Sequence, residues 1–300
     1  MARRDFLRGS IVAGTMLAGA RAASGAEPGP AVEPPTIIDT NVTLFGWPFR
    51  RLKYGDTAAL VAKLRRHRVA EAWAGSFEAL FHKDLDGVNT RLARECREKG
   101  ADLLRPFGAV NLAWPDWEEE VRRCHEGHRM PGIRIIPGYQ PFDLGHPELP
   151  RLLEVVKQRG LILQVVFGLE DPRVHHPVLN LQPVVVGPLV EALKAVPGAR
   201  VQVLSFAGNA AGTDLQALMK DTTAAIDISR WESNGIVGKM IGAAPGSRGA
   251  RVPLERVMFG SHAPYAPVET AVLKLFESPL TADQIVAIMR GNARRLLPAV

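Results

Sequence analysis

Leu161-Ile162-Leu163-Gln164-Val165-Val166-Phe167-Gly168-Leu169-Glu170-Asp171-Pro172-Arg173-Val174-His175-His176-Pro177 runs from an almost unbroken apolar segment into two acids, an arginine and two histidines. Leu161 to Phe167 has the length and composition of a strand covered on both faces. Ionisable groups crowded at the carboxyl end of such a strand are what a strand feeding an active site presents. The plainer reading of the same residues is a solvated loop whose acids and arginine pair among themselves.

The flanking segments repeat this unit. Upstream, Leu149, Leu152, Leu153 and Val156 recur at i, i+3, i+4 and i+7, one face of a helix. Downstream, Leu189, Ala192, Leu193 and Val196 have the same spacing, followed by a strand at Val201 to Phe206. Further strands are expected at 37–44, 69–74, 103–110, 132–137, 224–228 and 256–260. The helices between them include one capped by Asp56 and one opened by the capping-box pattern Thr281-Ala282-Asp283-Gln284. About eight strands alternating with helices predict a (β/α)8 TIM-like barrel over residues 36–300, with an open doubly wound sheet as the alternative. No GxGxxG or Walker phosphate loop is present.

At the amino terminus, Arg3-Arg4-Asp5-Phe6-Leu7 precedes a Gly/Ala-rich apolar run from Ile11 to Ala20 and a small-residue cleavage pattern at Ser24-Gly25-Ala26. That order predicts a twin-arginine signal peptide over residues 1–26, then a Pro/Gly linker over 27–35, and a periplasmic or otherwise exported protein. The apolar run is too short for a permanent membrane anchor. Removing residues 1–26 takes four arginines and one aspartate, leaving 33 basic against 30 acidic residues, +3 where the whole chain has +6. With no basic run interleaved with aromatics, nucleic acid is not an expected partner; a small molecule is, and homo-oligomerisation stays open. Cys96 and Cys124 have no metal spacing and lie on predicted helices facing outward, which reads as two idle thiols.

Ile37-Ile38-Asp39-Thr40-Asn41-Val42-Thr43-Leu44, Gly132-Ile133-Arg134 and Val257-Met258-Phe259-Gly260-Ser261-His262-Ala263-Pro264 resemble the first, fourth and eighth strands of the amidohydrolase-related (amidohydrolase 2) family. Gly291-Asn292-Ala293-Arg294-Arg295-Leu296-Leu297 is similar to that family's last helix. The resemblance implies a TIM-like barrel performing hydrolysis or decarboxylation, often with one or two divalent metals at the strand ends. The metal pattern is broken here. Asn41 and Thr43 stand at the first strand's His-x-His, Ser205 at the sixth-strand histidine and His262 at the eighth-strand aspartate, and 164–167 contains no histidine. Amides and hydroxyls are poor zinc ligands, so no metal cofactor is expected; a rebuilt site using Glu170, Asp171, His176 or His262 around a divalent metal such as zinc is the alternative.

The residues expected at the barrel mouth follow from the strand ends. His262 is the proton-transfer candidate because imidazole titrates near neutral pH, with Asp39 as a carboxylate able to orient it. Arg134 and Arg173 are candidates to clamp a carboxylate or polarise a carbonyl. Asn41, Trp47, Arg50, Glu170, Asp171, His176 and Ser205 are candidates for substrate binding. His176 is preferred to His175 as the pocket residue, and Arg173 is expected to face ligand with Glu170 holding it. A serine–histidine arrangement would need Ser76, Ser205 or Ser261 beside His262, and no Gly-x-Ser-x-Gly elbow is present. These residues point to a metal-independent hydrolase of a lactone, ester or amide. A ligand-binding barrel without turnover, and a decarboxylase or hydrolase with a rebuilt metal site, are the alternatives.

Overall fold

The computed structural model describes residues 36–179, 181–207, 213–246 and 251–298, so the predicted leader and linker lie outside them. The strands are β1 (Ile37–Leu44), β2 (Val69–Ser76), β3 (Leu104–Ala109), β4 (Gly132–Ile135), β5 (Ile162–Val166), β6 (Arg200–Leu204), β7 (Ala225–Asp227) and β8 (Val257–Met258). They pair in parallel in the order β1 to β8. Thr40 N–H donates to Phe259 O (3.0 Å), His262 N–H to Asn41 O (2.9 Å) and Thr43 N–H to Ala263 O (2.9 Å), joining the chain after β8 back to β1. The ring therefore closes as a (β/α)8 barrel, and the open doubly wound alternative falls.

The connecting helices are α1 (Thr57–Arg66), α2 (Leu85–Gly100), α3 (Trp117–Arg122), α4 (Leu149–Gln158), α5 (Gly187–Ala195), α6 (Thr213–Asp221), α7 (Ile236–Met240) and α8 (Val268–Phe276). Two short helices, α9 (Ala282–Val286) and α10 (Asn292–Leu296), follow. Local chemistry sets their ends. The side chain of Asp56 accepts from Ala59 N, that of Asp84 from Gly87 N, and Thr281 and Gln284 form the reciprocal capping box. Leu149, Leu152, Leu153 and Val156 are buried, as their spacing predicts. Cys96 and Cys124 are buried free thiols turned into the core rather than outward, and burial pushes Cys96 up to about 12. No described helix is long and apolar enough to cross a membrane.

The barrel interior is layered because alternate residues of each strand share a face. At the amino-terminal end, Ile38, Trp73, Phe107, Ile162, Ala225 and Met258 form an apolar plug capped by Ala293, Leu296 and Leu297. Two residues along the strands, the layer turns polar: Thr40, Arg134, Gln164, Gln202 and Asp227, all buried. Above it, Phe77, Ile136, Val166 and Leu204 join Trp47 and Leu169 in a second apolar layer, packed against Phe49, Tyr139 and Tyr265. The polar layer is thus enclosed between two apolar ones.

Candidate active site

The polar layer is organised by Asp227, the last residue of β7. Its Oδ2 accepts from Asn41 Nδ2 at 2.6 Å; its Oδ1 accepts from Ser229 Oγ at 2.9 Å and from Ser205 N at 3.1 Å. The second Asn41 amide hydrogen reaches Ser205 Oγ at 3.0 Å. Ser229 has spent its hydroxyl hydrogen on Asp227, and Ser205 Oγ already accepts from Asn41. The Ser205 hydroxyl hydrogen is therefore free to point at His262 Nδ1, 3.3 Å away, or at Ser229 Oγ, 3.4 Å away. On the far side of the ring, His262 Nε2 lies 2.6 Å from the carbonyl of Leu169. A carbonyl can only accept, so Nε2 carries the hydrogen and Nδ1 presents its lone pair to Ser205. Tyr265 stacks on the imidazole at 5.0 Å. Burial depresses His262 to about 4, and the positive charges of Arg230, Arg134 and Lys274 act in the same direction, so the ring is neutral at neutral pH.

Two backbone features mark the same place. Ser205 (φ 56°) and His262 (φ 61°) both adopt the left-handed region, uncommon for residues with a Cβ and concentrated at functional sites. Ser205 lines a cavity of about 380 Å³ between the β5–α5 loop and the end of β6, together with Tyr139, Phe167, Glu170, His175 and Arg230. Arg230 Nε is buried and makes no hydrogen bond among the described residues; Glu232 Oε1 stands 3.7 Å away on an exposed side chain.

Other predicted site residues fall into different places. Arg134 is not at a ligand surface. It is 3% exposed, and its guanidinium donates to Gln164 Oε1 (2.9 Å), Val42 O (2.8 Å) and Trp73 O (3.1 Å). It crosses to β1 and β2 past Gly75, where a Cβ would meet Arg134 Nη1 at 2.6 Å. Asp39 does not orient His262, a part taken by the Leu169 carbonyl. Asp39 Oδ1 instead accepts from Ser261 N (2.9 Å) and Asn41 N (3.2 Å), its Oδ2 has no hydrogen-bond partner among the described residues, and burial raises it to about 7.

The charged segment after β5 also divides differently. Arg173 pairs with Asp171 (2.5 Å) with its side chain 85% exposed, while Glu170 is buried against Arg50 at 3.1 Å. Neither the ligand-facing Arg173 nor its pairing with Glu170 is found, because an acid two residues away is nearer than one three away. His176 stacks on Phe49 at 4.8 Å and is exposed; His175 is the one that lines the cavity, 3.1 Å from Glu170 O and 3.3 Å from Tyr139 Oη. Trp47 sits in the upper apolar layer against Phe77 and Tyr265, outside that cavity. Asp227, Ser229 and Arg230 were not singled out by the sequence. Their signal was Asp-Ile-Ser-Arg closing an otherwise apolar strand, a charge and a hydroxyl placed where burial is certain.

The donor set does not suit a divalent metal. Asn41 turns its amide nitrogen, a donor, toward the centre, Arg134 Nη1 lies 3.4 Å from Thr43 Oγ1, and both His262 nitrogens are engaged. A buried guanidinium beside these positions also repels a cation. Among the described residues, no group of three or more His, Cys, Asp or Glu side chains could hold a metal ion.

No family model matches the chain. No curated protein matches it either. Solved structures do, at the level of the fold. A 2,6-dihydroxybenzoate decarboxylase from Rhizobium is 17% identical, with a TM-score of 0.62 over 86% of this chain and 98% of that one. A 5-carboxyvanillate decarboxylase from Sphingomonas paucimobilis is 14% identical, with a TM-score of 0.64 over 88% and 99%. A dihydroxybenzoic acid decarboxylase from Polaromonas, solved with manganese and the inhibitor 2-nitroresorcinol, is 13% identical, with a TM-score of 0.63 over 87% and 96%. The fold is shared along nearly the whole of each partner.

Proposed function

We propose that this chain is a metal-independent hydrolase that cleaves the ester, lactone or amide bond of a small carboxylated substrate in the cavity between the β5–α5 loop and β6. One observation carries the reading: a neutral imidazole directs its lone pair at the hydroxyl of Ser205, a residue that lines a cavity also lined by Arg230, whose Nε makes no hydrogen bond among the described residues. His262 serves as the proton acceptor, Ser205 stands next to the scissile carbonyl, and Arg230 binds the substrate carboxylate by charge-assisted hydrogen bonds. Tyr139 and Phe167 flank the apolar body of the substrate. The solved neighbours named for aromatic acids support an acid as substrate. The manganese of the Polaromonas structure is not carried over, because Asn41, Thr43 and His262 here are engaged as described above.

The test is a panel of aryl and alkyl esters, lactones and amides, each with and without a carboxylate, assayed with a chelator present. Turnover of a carboxylated member that survives chelation and falls in Arg230→Gln supports the reading; turnover that needs added metal overturns it. The activity is placed outside the cytoplasm on the strength of Arg3-Arg4 and the apolar run behind them, and cell fractionation with and without Arg3→Lys/Arg4→Lys checks that placement.

A second reading, a ligand-binding barrel without turnover, is favoured by the middle layer, where Arg134, Gln164, Gln202 and Thr40 spend their polar atoms on one another. It predicts saturable binding of an aromatic carboxylate with no product under any condition.

A further inference from the structure

We infer that Ser205 is a nucleophile that carries the acyl group of the substrate as a covalent ester, with His262 as its base and the Leu169 carbonyl as the group that orients that base. The inference rests on the hydrolase reading above and goes beyond it by assigning the attacking atom.

The hydrogen-bond directions around Ser205 leave its hydroxyl hydrogen two acceptors, His262 Nδ1 at 3.3 Å and Ser229 Oγ at 3.4 Å. Its Oγ accepts from Asn41 Nδ2 at 3.0 Å. Ser229 donates to Asp227. Of the two acceptors, His262 Nδ1 is nearer and is the one with a basic lone pair able to take up the proton. His262 is held in the required tautomer by a 2.6 Å hydrogen bond from Nε2 to Leu169 O. In a serine–histidine–aspartate triad a carboxylate does this; here a backbone carbonyl does, which fixes the ring without supplying a negative charge. Ser205 has a left-handed backbone at a strand end and lines the cavity, the setting of a strained turn at a nucleophile.

The chemistry balances without a cofactor. As Ser205 Oγ bonds to the substrate carbonyl carbon, its proton passes to His262 Nδ1. The carbonyl carbon–oxygen bond to the leaving group breaks, and the leaving oxygen takes that proton from His262. Water then gives a proton to His262 and bonds to the acyl carbon. The acyl–Oγ bond breaks, and Ser205 recovers its proton, leaving acid and alcohol.

The experiment treats the full chain with an alkyl fluorophosphonate, which transfers phosphorus to an activated serine with loss of fluoride, and reads intact mass and peptide maps. One adduct is expected, on Ser205, absent in Ser205→Ala and formed at least about 100-fold more slowly in His262→Gln. Circular dichroism melts establish that each variant is folded, and Ser205→Cys, should Ser205→Ala unfold, is expected to shift the adduct to the new thiol under a thiol-reactive aryl ester. No adduct on wild-type Ser205, or ester hydrolysis by folded Ser205→Ala within about threefold of wild type, overturns the inference. The two readings separate cleanly. A His262-dependent adduct on Ser205 with no turnover of the substrate panel sinks the proposed substrate and keeps the nucleophile. Turnover with Ser205 unlabelled and dispensable keeps the hydrolase and sinks the nucleophile.

Discussion

At the scale of single residues, two buried titratable groups have been moved in opposite directions by the same cause. Burial lifts Asp39 to about 7 and lowers His262 to about 4. The folded chain therefore keeps a proton on Asp39 that the unfolded chain gives up between pH 3.8 and about 7, so the stability contributed by Asp39 is present in acid and is lost as pH rises through that window. Asn cannot ionise. The melting temperature of Asp39→Asn minus that of wild type should thus climb between pH 4 and pH 8, and a flat difference would show that the carboxylate stays ionised in the fold. His262 behaves inversely: the unfolded chain takes up its proton first, so its contribution grows as pH rises from about 4 to 6.5. Subtracting wild type from variant cancels that term. In the reaction the same depressed value keeps the imidazole unprotonated far into acid. Hydrolysis, or labelling of Ser205, should hold to about pH 5 and fall with protonation near pH 4; a midpoint near 6.5 would mean that water reaches the ring. The largest charge effects on that ring come from Arg230, Arg134 and Lys274, all positive, and the Asp227 carboxyl stands behind Ser205, which touches the ring.

At the scale of elements, the barrel staves differ in what they contribute. β4 sends Arg134 across to β1 and β2, and β2 accommodates it by having no side chain at Gly75. Gly75→Ala should destabilise the chain by about 1–3 kcal/mol, the usual cost of an overpacked interior, measurable by denaturant titration. An unchanged midpoint would mean that the guanidinium can swing away at no cost. The β5–α5 loop, where the sequence looked most like an active site, acts chiefly through backbone: Leu169 supplies a carbonyl to His262, and Glu170 anchors the loop to Arg50. Its exposed Asp171–Arg173 pair contributes little, as surface ion pairs generally do.

At the scale of the whole molecule, the barrel centre holds a guanidinium among amides and hydroxyls. Protein purified without added metal should carry no stoichiometric zinc or manganese by elemental analysis, and its melting temperature should be unchanged by chelator or by either metal. Stoichiometric metal would refute the metal-independent reading. The alternation of apolar strands with periodic helices determined the barrel, because burial on both faces of a strand and on one face of a helix is written directly in residue spacing. The same spacing identified the residues at the strand ends, among them Asn41, Ser205 and His262, since position along a strand decides which end of the barrel a side chain reaches. Spacing does not carry partner choice. Asp227 takes Asn41 from six strands away, Arg134 turns inward instead of toward a ligand, and a carbonyl displaces Asp39 at His262. Those pairings are decided by ring closure, which brings β1 beside β8 and lets hydrogen-bond satisfaction in a dry interior select among groups that lie far apart along the chain.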